Sequence, residues 1–201
     1  MPAFFRKEKA HPPPTEEGRS LCERALVYVK PDFSGDSSEK PLVIPTEEQP
    51  VLSNLAPGIL TSYLVDRGTD FLYIQNRHLR EAGWTEAQLH SRAVENLARF
   101  AQGKTKLQGF GGAYAVLLDG NFEASLLAVD SFWERVAAPQ VGSDIAAAIP
   151  ARDILAFCPA GSPQGVAGLR EVIARVFPGG DHLITEQVYR RVAGKWTPMP
   201  P

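Results

Sequence analysis

Residues 119–157 constrain the fold most strongly, because a helical pattern there runs directly into two short apolar segments. The turn Asp119-Gly120 and the side chain of Asn121, a candidate N-cap, predict where the helix begins. Pro139 predicts where it ends. Between these limits, apolar residues recur at the spacing of one helical face: Phe122, Leu126, Val129, Trp133 and Val136. The pattern therefore predicts one regular helix with a buried face.

The second half of this stretch predicts two paired or bent strands. The apolar runs at 145–149 and 154–158 are too short for helices, and the second contains Ile and Phe. Between them stand Pro150, Arg152 and Asp153. Because proline cannot donate a backbone hydrogen bond, this junction is expected at a strand end, an edge or a bulge. Arg152 and Asp153 are expected either to form an ion pair that fixes the bend or to orient a ligand.

Two further helices carry clear start signals. Thr85 and Gln88 have the spacing of a capping box, which predicts a helix over 86–102. Ser162 as N-cap and Pro163 at the first helical position predict another helix, which ends before Pro178. The buried faces of the three helices are represented by Leu89, Trp133 and Ile173, which are expected to meet one common sheet.

Short apolar runs on either side of turn-rich residues predict the strands. We expect hairpins over 59–75 and 106–118, and short strands at 25–29, 184–191 and 195–197. Four prolines interrupt residues 41–57, which are therefore expected to follow the surface. Together these patterns predict an α+β fold, in which a mainly antiparallel sheet is covered by three amphipathic helices.

Composition predicts one domain and excludes several classes of partner. The chain has 201 residues, 44% of them hydrophobic, which suits a single core at 21–201. Residues 1–20 are rich in Pro, Lys and Glu and are expected to form a flexible arm. A net charge of −2 does not provide the excess positive charge that is typical of nucleic-acid-binding proteins. No apolar run could span a bilayer or act as a secretory signal, so a cytoplasmic location without membrane contact is expected.

Cys158 is the first residue considered for chemistry. It ends an apolar run just before the helix that starts at Pro163, where the helix dipole can lower the pKa of a thiol. Such a thiol would suit a nucleophile. A cysteine at the end of a core strand is, however, more often a small buried apolar residue. Cys158 and Cys22 match no zinc spacing, and we expect both to be free thiols.

Glu123, Asp130 and Glu134 form the second group. Spacings of seven and eleven residues would align them on one face of a regular helix, where three acids can bind a cation. The more common arrangement is a solvated flank beside a buried stripe. The four histidines have no metal-ligating spacing, and the glycines at 109–112 lack a phosphate-loop signature, so no metal or cofactor is predicted.

Several of these motifs resemble a known family. The segment GNFEASLL at 120–127, a Trp one helix later and IPARDILAF at 149–157 are similar to the bacterial YtpQ-like family. Dispersed similarities at 63–66, 73–74 and 93–97 extend the resemblance over about residues 42–196. It implies a soluble α+β domain. It implies no reaction and supplies no catalytic residues.

Two functions remain open from the sequence. The first is a non-enzymatic module that binds another protein through a sheet face or edge, for instance as an immunity or regulatory factor. The second is a hydrolase or transferase that uses Cys158, or the acidic cluster with Arg152. The enzyme hypothesis predicts a pocket where the four candidate residues converge: Glu123, Arg152, Asp153 and Cys158.

Overall fold

The fold is α+β, with helices packed on two antiparallel sheets. The computed structural model describes residues 16–32 and 44–200. Its strands are β1 (Leu26–Pro31), β2 (Leu52–Ala56), β3 (Ile59–Asp66), β4 (Phe71–Tyr73), β5 (Lys106–Phe110), β6 (Ala113–Leu117), β7 (Ile145–Ala148), β8 (Leu155–Pro159), β9 (Val188–Val192) and β10 (Lys195–Pro198). Its α-helices are α1 (Glu16–Arg24), α2 (Asn76–Ala82), α3 (Glu86–Ala101), α4 (Asp130–Phe132), α5 (Ala138–Val141) and α6 (Pro163–Val176). A short 3-10 helix covers Thr46–Glu48.

The strands form two sheets, where the sequence predicted one. In the first sheet β3 is central, with β1 on one side and with β2 and β4 on the other. The second sheet has six strands in the order β10-β9-β7-β8-β6-β5. Every strand pair among the described residues is antiparallel, which agrees with the predicted mainly antiparallel arrangement. The predicted hairpins β3–β4, β5–β6 and β7–β8 are confirmed.

Alternation along β7 and β8 gives the six-stranded sheet two different faces. Ile145 and Phe157 point toward the main core, whereas Ala146, Ala156 and Cys158 point toward α6. These small side chains let the helix lie close to the sheet. A Cβ atom built on Gly165 of α6 would lie 2.7 Å from the Cβ of Cys158. The first turn of α6 therefore fits only because position 165 has no side chain.

The main core lies between the two sheets and contains several aromatic side chains. The rings of Trp133 and Trp196 have centroids 4.7 Å apart. Tyr189 on β9 donates from its hydroxyl to the Pro57 carbonyl in the β2–β3 turn at 2.8 Å, so the sheets are tied directly. Leu89, Trp133 and Ile173 were expected to meet one common sheet, and this expectation is wrong. Leu89 and Trp133 enter the main core, whereas Ile173 on α6 belongs to a second cluster between that helix and the six-stranded sheet. All three are buried.

The predicted regular helix after Asp119 is broken into short pieces. A 3-10 segment covers Ala124–Ala128, Val129 takes an extended conformation, and a π-helical turn covers Trp133–Ala137 between α4 and α5. Asn121 is not the N-cap, since the Asp119 carboxylate accepts from the backbone at residues 121 and 122. Pro139 lies in the first turn of α5 and does not end the helical stretch.

The helix starts predicted from capping are confirmed. Thr85 and Gln88 form the reciprocal capping box of α3, and the Ser162 hydroxyl accepts from the Gly165 N–H at the start of α6. The arm predicted over 1–20 stays a prediction for residues 1–15, which lie outside the described residues, whereas 16–20 form the first part of α1. The amide of Asn96 on α3 donates to the Glu23 carbonyl at 2.8 Å and so holds the end of α1.

Candidate binding site

One face of the four-stranded sheet borders a concave surface that has two parts. Tyr28 and Lys30 on β1 pair with Ser62 and Leu60 on β3, and Leu52 on β2 also pairs with Ser62. Directly paired residues point to the same side of a sheet. These side chains therefore share one face, on which Tyr28 and Ser62 are buried, and the alternate positions on β1 and β3 enter the core from the other side.

The first part of this surface is apolar. A cavity of about 490 Å³ is lined by Pro31, Pro50, Leu52, Leu60 and Tyr73, together with four further residues. We name it the apolar cavity. Leu52, which lines this cavity, keeps 44% of its surface exposed. The apolar cavity therefore offers a surface that would lose contact with water if a ligand covered it.

The second part is larger and contains a positive charge. A cavity of about 860 Å³ is lined by Tyr28, Phe71, Arg152 and Ile184, among others, and we name it the Arg152 pocket. It shares Lys30, Pro31 and Tyr73 with the apolar cavity. The Lys30 ammonium lies 4.4 Å from the centre of the Tyr73 ring at this boundary. The two cavities are therefore neighbouring parts of one groove.

The backbone of Arg152 is fixed from two directions. Its N–H donates to the His182 carbonyl at 3.2 Å, and its carbonyl accepts from the Ala124 N–H at 3.1 Å. An isolated antiparallel β-bridge between Ala151 and Leu183 lies next to the hydrogen bond from Arg152 to His182. The irregular segment after β7 thus holds Arg152 against the loop before β9 and against the 3-10 segment at 124–128, which sets the direction of its side chain.

The guanidinium of Arg152 reaches the phenol of Tyr28. Burial raises the pKa of Tyr28, the neighbouring Tyr73 adds to the rise, and the guanidinium of Arg152 opposes it. The phenol is therefore protonated at neutral pH and can donate a hydrogen bond. Arg152 is half-buried and forms no ion pair with any residue of the described ranges 16–32 and 44–200. The predicted ion pair between Arg152 and Asp153 is thus wrong.

Asp153 lies on the other side of the junction. It is exposed and lines a smaller depression of about 210 Å³, which also includes Arg152, Asp181 and His182. His182 and Asp181 approach each other to 3.2 Å. Arg152 and Asp153 therefore share this depression, but only Arg152 also lines the larger pocket.

Glu123 is buried and folded back on the preceding turn. One carboxylate oxygen, Oε1, accepts from the backbone N–H groups of residues 118, 119 and 120 at 2.8–3.0 Å. The other oxygen, Oε2, is buried and has no hydrogen-bond partner among the described residues. Glu123 thus caps a turn and is not part of an acidic face. Asp130 instead pairs with Arg191 at 2.6 Å, and Glu134 is exposed on the π-helical turn.

Cys158 is fully buried beneath α6. Burial raises its pKa to about 11, whereas the helix-dipole argument predicted a lowered value. A buried neutral thiol of this kind is a poor nucleophile near neutral pH. The four candidate residues do not converge on one pocket: Arg152 and Asp153 share a depression, whereas Glu123 is folded onto its own turn and Cys158 is buried beneath α6. Among the described residues, His, Cys, Asp and Glu form no group of three that could hold a metal ion.

Sequence reasoning singled out Arg152 but missed the residues around it. Tyr28 and Lys30 alternate with Val27 and Val29 along β1, and this alternation was the signal that could have placed them on a shared face. Ile184 was predicted in a strand, whereas it precedes β9 and bonds to the Pro150 carbonyl. The position of Ile184 beside Arg152 depends on this long-range hydrogen bond, and no pattern in the neighbouring sequence indicates it.

Comparison of the chain with protein-family models, with curated proteins and with solved structures found no match. The resemblance to the YtpQ-like family therefore stays a prediction. In the part of the chain that the structure describes, none of the helices has the length and apolar character needed to cross a bilayer.

Proposed function

We propose that this chain is a non-enzymatic binding module that acts in the cytoplasm and holds a segment of another protein on the open face of its four-stranded sheet. The apolar cavity around Leu52 is the observation that carries the proposal. Its apolar lining next to the cationic residues Lys30 and Arg152 is typical of ligand sites, in which apolar walls supply affinity and a few polar groups supply orientation. The free thiols of Cys22 and Cys158 suit a reducing compartment.

The face is a better candidate than the outer edge of β1. The Val29 N–H, which an added strand would need, donates to the Ser125 hydroxyl at 3.1 Å. The 3-10 segment that contains Ser125 lies along this edge. A partner segment that crosses the face would instead cover Leu52 and the lining of the apolar cavity. Burying the remaining exposed part of Leu52 contributes about 1 kcal/mol.

We do not propose the enzyme alternative. Its nucleophile, Cys158, is buried with a raised pKa, and its acidic residues lie in different surroundings. Arg152 alone has no acid, base or nucleophile beside it that would define a reaction.

Selection from a peptide library tests the proposal on the purified full chain. Random peptides of about twelve residues, displayed on phage, are selected for binding, and the recovered peptides are measured against two variants. Leu52→Lys places a charge in the apolar cavity, and we expect it to weaken binding about tenfold, which corresponds to about 1.4 kcal/mol. Leu117→Lys is the matched control, because Leu117 is similarly exposed (48%) but lies on the other sheet.

The proposal fails if no peptide is recovered, or if the recovered peptides bind the Leu52→Lys and Leu117→Lys variants equally well. A partial loss confined to the Leu52→Lys variant supports it. Circular dichroism of both variants checks that the charge leaves the fold intact.

A further inference from the structure

We propose that the Arg152 pocket binds a carboxylate group of the partner segment together with an adjacent apolar side chain. This inference rests on the proposed function and names the chemistry that the partner presents. The geometry that carries it is a half-buried guanidinium, held by its backbone at the wall of a cavity of about 860 Å³.

Arg152 has the properties of an anion-binding residue. Its guanidinium forms no ion pair with a described residue, although Asp153 and Asp181 line the depression on its other side. The planar guanidinium offers two parallel N–H groups to the two oxygens of a carboxylate. The Tyr28 hydroxyl, which the guanidinium reaches, supplies a further donor in the same pocket.

A second cation lies at the mouth of the same pocket. Lys30 follows Tyr28 by two residues on β1, a rise of about 7 Å along the strand. Its ammonium rests on the Tyr73 ring and forms no ion pair with another described residue. Two cations thus stand beside the groove without an ion pair to any described residue, although Asp32 also lines the apolar cavity. The Arg152 end of the groove therefore favours a negatively charged ligand.

The size and walls of the pocket require more than a carboxylate. A carboxylate occupies only a small fraction of about 860 Å³. The walls near Arg152 include Phe71, Phe177, Leu183 and Ile184, which are apolar. The ligand that matches both features has a carboxylate next to an aromatic or aliphatic group. An acidic side chain of the partner segment, next to a large apolar residue, has this chemistry.

Two small probes that differ only in charge test this inference without a known partner. The full chain, labelled with ¹⁵N, is titrated with 3-phenylpropionate and separately with its neutral analogue 3-phenylpropanamide. We expect both to shift the amide signals of Tyr28, Lys30 and Ile184. We expect the carboxylate to bind at least fivefold more tightly than the amide, because only the carboxylate forms the charge-assisted hydrogen bonds to Arg152.

Variants assign this preference to the guanidinium. Arg152→Gln should remove the preference, so that both probes bind with the weak affinity of the amide. Arg152→Lys keeps the charge but loses the planar pair of donors, and it should retain part of the preference. Arg92→Gln is the matched control. Arg92 is exposed on α3 and lines neither part of the groove, so this substitution removes the same charge at another place. The amide spectrum of each variant shows whether it is folded.

The inference is overturned if the two probes bind equally well, if the preference survives in Arg152→Gln, or if neither probe shifts signals from the pocket. The peptide selection separates this outcome from failure of the proposed function. Peptides that depend on Leu52 but lack acidic residues would support the binding module and exclude the carboxylate site. If the small probes show the charge preference but no peptide is selected, the carboxylate site would be supported and the peptide-binding module would be excluded.

Discussion

Replacing Gly165 with alanine should destabilise the chain, although alanine is normally the better residue in a helix. A Cβ at this position would lie 2.7 Å from the Cβ of Cys158, 3.0 Å from its Sγ and 2.9 Å from the Gly112 carbonyl oxygen. Optimal separations between carbon atoms are about 3.5–4.0 Å. The added methyl group therefore requires α6 and β8 to move apart by roughly 1 Å. Neither neighbour can turn away, because one is buried and the other is backbone.

The two opposing effects can be compared. Overpacking of this kind costs about 1–3 kcal/mol. The gain in helix propensity on replacing glycine is about 0.5–1 kcal/mol, and less in a first turn. The net loss in the free energy of unfolding should be about 1–2 kcal/mol, which lowers Tm by roughly 2–4 °C per kcal/mol for a chain of this length.

Urea unfolding followed by tryptophan fluorescence measures the loss, since Trp133 and Trp196 are buried in the main core. Gly161→Ala is the control, because its added Cβ meets no atom within 4 Å. That variant should be as stable as the parent or slightly more stable. In a Cys158→Gly background, Gly165→Ala should cost less than it does in the parent chain, because two of the three close contacts are absent. If Gly165→Ala unfolds at the same urea concentration as Gly161→Ala, the close packing of α6 is refuted.

Two further predictions concern buried ionisable groups. Burial raises the pKa of Cys22 and Cys158 from 9.0 to about 11, so the native state keeps protons that the unfolded state releases. The contribution of each thiol to the free energy of unfolding should be constant below about pH 9 and fall between pH 9 and 11 by roughly 2–3 kcal/mol. Urea titrations of Cys158→Ala should lack that residue's share of the fall. Glu123→Ala should cost about 2–4 kcal/mol, since three backbone donors lose a charged acceptor. Glu123→Gln should lower the free energy of unfolding by less, because its amide oxygen can still accept these hydrogen bonds. If both Glu123 variants lose the same stability in thermal unfolding, the capping role is contradicted.

Elements with local signals were predictable from the sequence. The capping residues Thr85 and Ser162 identified α3 and α6, because their partners lie three residues away. The hairpins around 67–70 and 111–112 were likewise visible, since the turn residues separate short apolar runs. Two short apolar runs on either side of Pro150 also predicted the pairing of β7 with β8. Such local patterns could not show that the strands divide between two sheets, because each strand has the same pattern in either arrangement.

Elements that depend on distant contacts were not predictable. The break after Ala128 accompanies a hydrogen bond from the Trp133 indole to the Leu126 carbonyl, which a regular helix would use for its own backbone. The spacing of Glu123 and Asp130 predicted one acidic helical face. Glu123 instead accepts hydrogen bonds from the turn that precedes it, and Asp130 pairs with Arg191. At the candidate site, the unusual junction drew attention to Arg152, but its partners come from β1 and from the loop before β9. Helical and strand periodicity contains no information about such neighbours.

The hydrogen bond from Tyr189 to Pro57 joins residues 132 positions apart in the chain. The turn that it holds connects β2 to β3, and β2 supplies Leu52 to the open face. Contacts over such sequence separations form late in folding, because closing the long loop must precede them. During synthesis, the groove is therefore completed only after β9 has left the ribosome. A nascent chain that ends before this strand should carry an unfinished surface, so partner recognition would be restricted to fully translated molecules.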